Sequence, residues 1–269
     1  MKIILNKNKL TKILEKEKNI GFVPTMGAIH AGHLSLIRKS NSQCDKTIVS
    51  IFVNKSQFNK RKDYEKYPRP ISKDISILRS HDVDFLYLPR ANQIYPCGHN
   101  KKIKINALEK KLCGRFRPGH FRAVTDVIEK FYNIIRPKRI YFGEKDMQQL
   151  KIIEDYFKKK KLKNKIIGCK TIREKNGLAI SSRNLLLKIN EKKLASKIYK
   201  LIIKDKPKII KNKKILNDLK KQILSLGVKK IDYLEICDIN KLIKTPKIKK
   251  KHKIFIAYYL DKVRLIDNI

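Results

Sequence analysis

Five short runs of β-branched and apolar residues, separated by stretches with helical periodicity, constrain this chain more than anything else in it. They are Ile20 to Val23, Lys46 to Val53, Val83 to Leu88, Arg139 to Phe142 and Lys165 to Cys169. Helical patterns lie between them, from about Gly32, over Ile71 to Ser80, over Val124 to Ile135, and after Asp146. Strand and helix in alternation predict an α/β fold, a doubly wound parallel sheet with helices on both faces. Residues 1 to 19 read as a charged helix leading into the first strand. Beyond about residue 185 the texture changes to two lysine-rich amphipathic helices, near 190–204 and 213–226. Two strands follow, Ile231 to Ile236 and Ile254 to Leu260. The expected division is a main domain over 1–170 and a smaller C-terminal α+β domain over 171–269 that covers the site.

The chain has 269 residues, 42% of them hydrophobic, with ten Phe and eleven Tyr. That suits a folded globule with a sizeable core. No apolar run reaches the ~18 residues that span a bilayer, and the apolar start of MKIILNKNKLTK is too short for a signal peptide. A cytoplasmic location with no membrane partner is expected. The five cysteines are scattered and no C-x-x-C occurs, so neither a zinc site nor a disulfide framework is indicated. The net charge of +42 would suit a nucleic-acid partner, but the lysines are spread along the whole chain and no recognition motif accompanies them. A solvated lysine coat that steers anionic substrates explains them better; no nucleic-acid partner is expected.

The chemistry gathers in Gly21 to Ser40, GFVPTMGAIHAGHLSLIRKS. A strand ends at Pro24-Thr25. Gly27, Ala28 and Gly32 let backbone approach a ligand closely, and a helix starts near Gly32. Its free N–H groups and positive dipole end would face an anion. His30 and His33 at that junction can both point at one phosphate whose charge grows in a transition state. Asn54 and Gln57 follow the carboxyl end of the second strand, where α/β sheets bind ligands. The long stretch 89–120 ends in CGRFRPGHF, where Arg115, Arg117 and His120 gather positive charge. Gly143 to Asp146 (GEKD) lies at another strand mouth, with Lys145 as a cation and Asp146 as a helix N-cap. Ser181, Ser182 and Arg183 suit either triphosphate oxygens or a polar cap on the next turn.

Six blocks, PTMGAIHAGH, VSIFVNKSQF, DYEKYPR, RPGHF, FGEKDMQQL and GLAISSRN, in this order and spacing, resemble the pantothenate synthetase (pantoate–β-alanine ligase) family over nearly the whole chain. The resemblance implies a Rossmann-like sheet of the nucleotidyltransferase type. It also implies the reaction of ATP, pantoate and β-alanine to pantothenate, AMP and diphosphate, with Mg²⁺, through a pantoyl adenylate in a homodimer. By motif, Met26, Gly27, Ala28, Ile29, His30, Ala31, Gly32 and His33 match the ATP loop, with His33 the proton donor and His30 beside it on the phosphates. Gly143, Glu144, Lys145 and Asp146 match a second nucleotide segment with Lys145 on the phosphates. Ile172, Ile180, Ser181, Ser182 and Arg183 match the remaining ATP contacts. Gln57 matches a contact to pantoate and β-alanine, and Gln149 a contact to pantoate. No metal ligand is assigned. Lys55, the stretch Arg61-Lys62-Asp63, Lys73 beside Asp74, and Ala123 depart from the family pattern, and the loss of acids bears on magnesium. Another adenylyl- or cytidylyltransferase is the alternative within this fold, but it has no need of the RPGHF and QF blocks.

Overall fold

A computed structural model describes residues 1–240, 242 and 252–269; residues 241 and 243–251 of the expected C-terminal domain lie outside them. In chain order the elements are β1 (Lys2–Ile4), α1 (Lys7–Leu14), β2 (Ile20–Thr25), α2 (Ala31–Asn41), β3 (Lys46–Ile51), α3 (Arg61–Glu65), α4 (Ile71–Arg79) and β4 (Phe85–Tyr87). Then come α5 (Ala91–Ile94), α6 (Leu112–Phe116), α7 (His120–Ile135), β5 (Arg139–Gly143), α8 (Met147–Lys159) and β6 (Lys165–Cys169). The C-terminal part holds α9 (Ile189–Lys211), α10 (Ile215–Ser225), β7 (Lys230–Asp238), β8 (His252–Leu260) and β9 (Val263–Asn268).

Strands β1 to β6 form one parallel sheet in the order β1-β4-β3-β2-β5-β6. The period-2 geometry of a strand sends neighbouring residues to opposite faces. Phe22, Ile48, Tyr87, Ile140 and Phe142 therefore join the core under α1, α7 and α8. Their neighbours Val23, Val49, Leu86 and Tyr141 join the core under α2 and α4. Both faces are covered, which is why these strands read as continuous apolar runs.

The chain winds outward in both directions from β2. Pairing between β2 and β5 stops at Phe22, and Pro24, which has no amide to donate, lies within β2 just beyond that point. A crevice opens where the two strands part, the place at which such sheets bind ligands.

Several elements differ from expectation. Residues 1 to 19 are not one helix: β1 pairs with β4 before α1 begins. Three residues are too few to show a period, and their partner lies far along the chain. The stretch 89–120 contains α5 and α6 rather than irregular backbone alone. Helix α9 continues through Pro207 to Lys211, past the expected end, because Ile202 and Ile209 are both fully buried on one stripe. A third strand, β9, completes an antiparallel sheet β7-β8-β9. One face of that sheet packs on α9 and α10 through Ile254 and Ile256. From the other face, Tyr233, Phe255 and Ala257 join the main core.

Candidate active site

The loop between β2 and α2 is shaped by Asp74 of α4. Its carboxylate accepts the amides of Ala28 at 2.8 Å and Ile29 at 2.7 Å, and the residue is 1% exposed. Thr25 Oγ1 accepts the Gly27 amide at 3.1 Å. Gly27 and Ala28 sit in the left-handed region, φ 82° and 51°, where a non-glycine residue stores strain. The amides of residues 27 to 29 are thus committed inside the protein. Met26, His30, Gly32 and His33 line the cavity beyond β2, whereas Gly27, Ala28, Ile29 and Ala31 stand behind that wall.

The helix begins with a histidine in place of the usual small polar cap. His30 Nδ1 accepts the His33 amide at 3.4 Å, so the neutral ring carries its proton on Nε2. The rings of His30 and His33 stack with centroids 3.9 Å apart and planes 16° from parallel. Burial, reinforced by Lys145, lowers His30 to about 4. Burial, then His30 and Lys145, hold His33 well below its ordinary value. Both imidazoles are therefore neutral at pH 7 in the free protein.

Their titration has a consequence for stability. The unfolded chain binds protons on these residues near pH 6.5, while folded His30 does so only near 4. Between those values the unfolded state holds more protons, so stability is complete above pH 6.5 and falls as pH drops. His30 alone accounts for ~3 kcal/mol across that window. Urea unfolding at pH 7.5 and 5 should show the loss; equal midpoints would rule it out.

Lys145, in a 3-10 turn after β5, lines the cavity with Gly143 and Asp146. Asp146 occupies the N-cap position of α8 as expected, but its side chain makes no capping bond. Glu144 is outside the cavity wall and lies 3.9 Å from Lys253. The turn is held from the far end of the chain. Asn268 of β9 donates to the carbonyls of Glu144 and Lys145, each at 2.8 Å. Next to it, Asp267 accepts both arms of Arg173 at 2.6 and 2.8 Å. This clamp had no sequence signal beyond two polar residues ending an apolar strand.

Ile172, Ile180, Ser181, Ser182 and Arg183 also line the cavity. Ser181 Oγ accepts the Arg183 amide at 3.3 Å, so the capping reading holds for that serine while it also borders the cavity. Ser182 Oγ donates to the Ala28 carbonyl at 3.3 Å, joining this segment to the β2–α2 loop.

Gln57 and Gln149 both line the same cavity, which encloses about 230 Å³. The Gln57 carbonyl accepts Arg117 at 3.1 Å and His120 Nδ1 at 2.8 Å. Asn54 donates to the Ala123 carbonyl at 3.3 Å and receives Tyr95 at 3.2 Å. Arg115 is separate from this group and pairs with Glu235 at 3.6 Å. Tyr67 and Lys170, which had not stood out, also border the cavity.

Among the described residues, no group of three His, Cys, Asp or Glu is placed to hold a metal ion, and the Asp74 carboxylate is spent on two amides. The residues present do not form a magnesium cage. No described helix is long and apolar enough to cross a membrane.

Comparison with known proteins bears on this geometry. The family model described as pantoate-beta-alanine ligase matches residues 2–269. Pantothenate synthetase of Endomicrobium trichonymphae is 45% identical, with 100% of this chain and 97% of that protein aligned. That of Sulfurihydrogenibium sp. is 40% identical over 100% and 99%. The crystal structure of the Thermus thermophilus pantothenate synthetase superposes with TM-score 0.93 at 30% identity, covering 100% of this chain and 99% of that one. The Francisella tularensis pantoate–β-alanine ligase, solved with beta-gamma ATP and β-alanine, gives TM-score 0.88 at 40% identity over 100% and 97%. Similarity that runs from end to end, over both sheets and every wall of the cavity, places the chain in the pantoate–β-alanine ligase family of enzymes.

Proposed function

We propose that the chain joins pantoate to β-alanine in two steps, splitting ATP to AMP and diphosphate, with a pantoyl adenylate between them. One observation carries this: a single cavity borders both the phosphate-type wall of His30, His33 and Lys145 and the amide-type wall of Gln57 and Gln149. The Francisella tularensis complex, with a nucleotide and β-alanine together, supports taking both as substrates here. ATP would lie along Met26 to His33, Gly143 to Asp146, Ile172 and Ile180 to Arg183. Magnesium would arrive with it as the nucleotide salt, held by phosphate oxygens.

The protein's part in the first step is alignment and charge stabilisation. Pantoate carboxylate attacks the α-phosphorus in line with the departing diphosphate. His30 offers Nε2–H to the phosphates. An anion beside His33 raises its pKa, so the ring that is neutral in the free protein gains a proton as the nucleotide binds and can donate it to the leaving group. Lys145 adds a fixed positive charge. Gln57 and Gln149 are neutral amides that donate to and accept from the pantoate hydroxyls without disturbing the carboxylate's nucleophilicity.

ATP–diphosphate exchange tests this reading. Exchange should require pantoate and be lost in His33→Ala. Exchange that ignores pantoate, or runs with a different acid, would overturn it. Gln57→Ala should raise the pantoate KM by about tenfold, the loss of one or two hydrogen bonds, with ATP affinity nearly intact. Equal losses for both ligands would contradict the assignment. The same reading makes the chain a cytoplasmic homodimer divided near residue 170; sedimentation would then give twice the monomer mass of 31.6 kDa.

A further inference from the structure

The second step needs something the residues above do not supply. β-Alanine arrives as an ammonium whose pKa is roughly that of lysine, near 10, yet it must attack as an amine. The cavity walls are rich in donors: His30 Nε2–H, Lys145, Arg117 and Arg183. An acceptor nitrogen in such a wall is out of the ordinary.

His120, the first residue of α7, is that acceptor. Its side chain lines the cavity and the residue is 7% exposed. Nδ1 lies 2.8 Å from the Gln57 carbonyl oxygen. A carbonyl can only accept, so Nδ1 carries the proton and Nε2 a lone pair. No partner for Nε2 is found among the described residues. That hydrogen bond fixes the tautomer; Arg117 donates to the same carbonyl at 3.1 Å, and burial, then the cations Arg117, Arg183 and Arg264, keep the ring neutral. Phe121 packs on it at 5.0 Å between centroids.

We propose that His120 Nε2 receives the amine of β-alanine and takes the proton released as the amide bond forms. This rests on the pantoyl-adenylate reading above. The ammonium holds three N–H bonds and the amide keeps one, so two protons must leave. The first goes to solvent as the free amine forms. The nitrogen lone pair then attacks the acyl carbon. As that bond forms the nitrogen's two N–H groups become strongly acidic, and Nε2 takes the second proton from one of them while the other stays in the amide. The bond from the acyl carbon to the phosphate oxygen breaks, and its electron pair leaves on AMP. A ring held well below its ordinary pKa cannot strip the starting ammonium, but it can accept from this adduct and return the proton to water at once.

The test separates this chemistry from support of Gln57. His120→Asn keeps a donor at the Nδ1 position and removes Nε2. Pantoyl adenylate is formed on the enzyme from ATP and pantoate, then chased with β-alanine or with hydroxylamine, a much less basic nitrogen whose adduct N–H is acidic enough to lose its proton to water unaided. In His120→Asn the β-alanine chase should slow about 100-fold, the usual contribution of a general base, with far less change in the hydroxylamine chase and in ATP–diphosphate exchange. His120→Gln, which restores an acceptor near Nε2, should be faster with β-alanine than His120→Asn. Equal slowing of both nucleophiles, or the reverse order of the two variants, would overturn the proposal. Absence of pantoate-dependent exchange in the unaltered protein would instead overturn the reading it rests on.

Discussion

Asp74→Asn is expected to lower stability by ~2 kcal/mol and pantoate-dependent exchange by two orders of magnitude or more. The carboxylate accepts two adjacent amides, at 2.8 and 2.7 Å. An amide side chain has one acceptor oxygen, so its NH₂ must face one of the two backbone N–H groups. A hydrogen bond to a charged group, worth about 1.5–3 kcal/mol, is lost, and a donor-to-donor contact replaces it. One effect runs the other way: burial pushes Asp74 up in pKa, so a neutral residue is easier to bury. The amides of Ile29 and Ala28, and Lys73 beside it, offset part of that burial cost, and the donor-to-donor contact makes the substitution destabilising. The larger consequence is catalytic. Ala28 is held at φ 51°, and without the carboxylate the loop relaxes and carries His30 with it. A displacement of about 1 Å at a reacting centre costs on the order of 100-fold. Calorimetry and exchange on one preparation would check both. Unchanged exchange would show that the loop keeps its shape without Asp74.

Gly32→Ala is expected to separate stability from activity in opposite directions. Gly32 lies in the first turn of α2, where alanine gains about 0.5–1 kcal/mol over glycine. A Cβ there would stand 2.9 Å from His30 Cε1 and 3.0 Å from Nδ1. The ring cannot yield freely, because it stacks on His33 at 3.9 Å and accepts the His33 amide. It must leave both contacts by several tenths of an ångström. The protein should melt at the same temperature or slightly higher, while exchange falls by about 100-fold. Parallel losses would mean that the clash spreads into the helix. Full activity would mean that the stacked pair is not needed for the first step.

Asp74, beside the Lys73 that departs from the expected pattern, is used to shape a loop, and the Lys73 charge offsets part of its burial cost. Ala123 is accommodated similarly. It sits within α7, and its carbonyl receives Asn54 at 3.3 Å.

Much of this molecule could be read from the chain. The apolar runs are strands because both faces of the sheet are covered, and the helices between them are amphipathic because each covers one face. The pattern around His30 and His33 is local, and three residues of spacing are enough to bring the rings together across one turn. The blocks around Gln57, Lys145 and Ser181 lie at strand ends, where a parallel sheet exposes them to one crevice. Order, class and family follow from such short-range regularities.

The contacts that give the site its chemistry were decided in the tertiary structure. Asp74 reaches Ala28 across 46 residues, His120 reaches Gln57 across 63, and Asn268 reaches Lys145 across 123. Periodicity reports which face of its own element a side chain occupies, but not what the packing of distant elements sets opposite. The tautomer of His120, the neutral state of His30 and His120, and the commitment of the Ala28 and Ile29 amides all depend on those distant partners. Burial and hydrogen-bond geometry, which exist only once the chain has closed on itself, settle them.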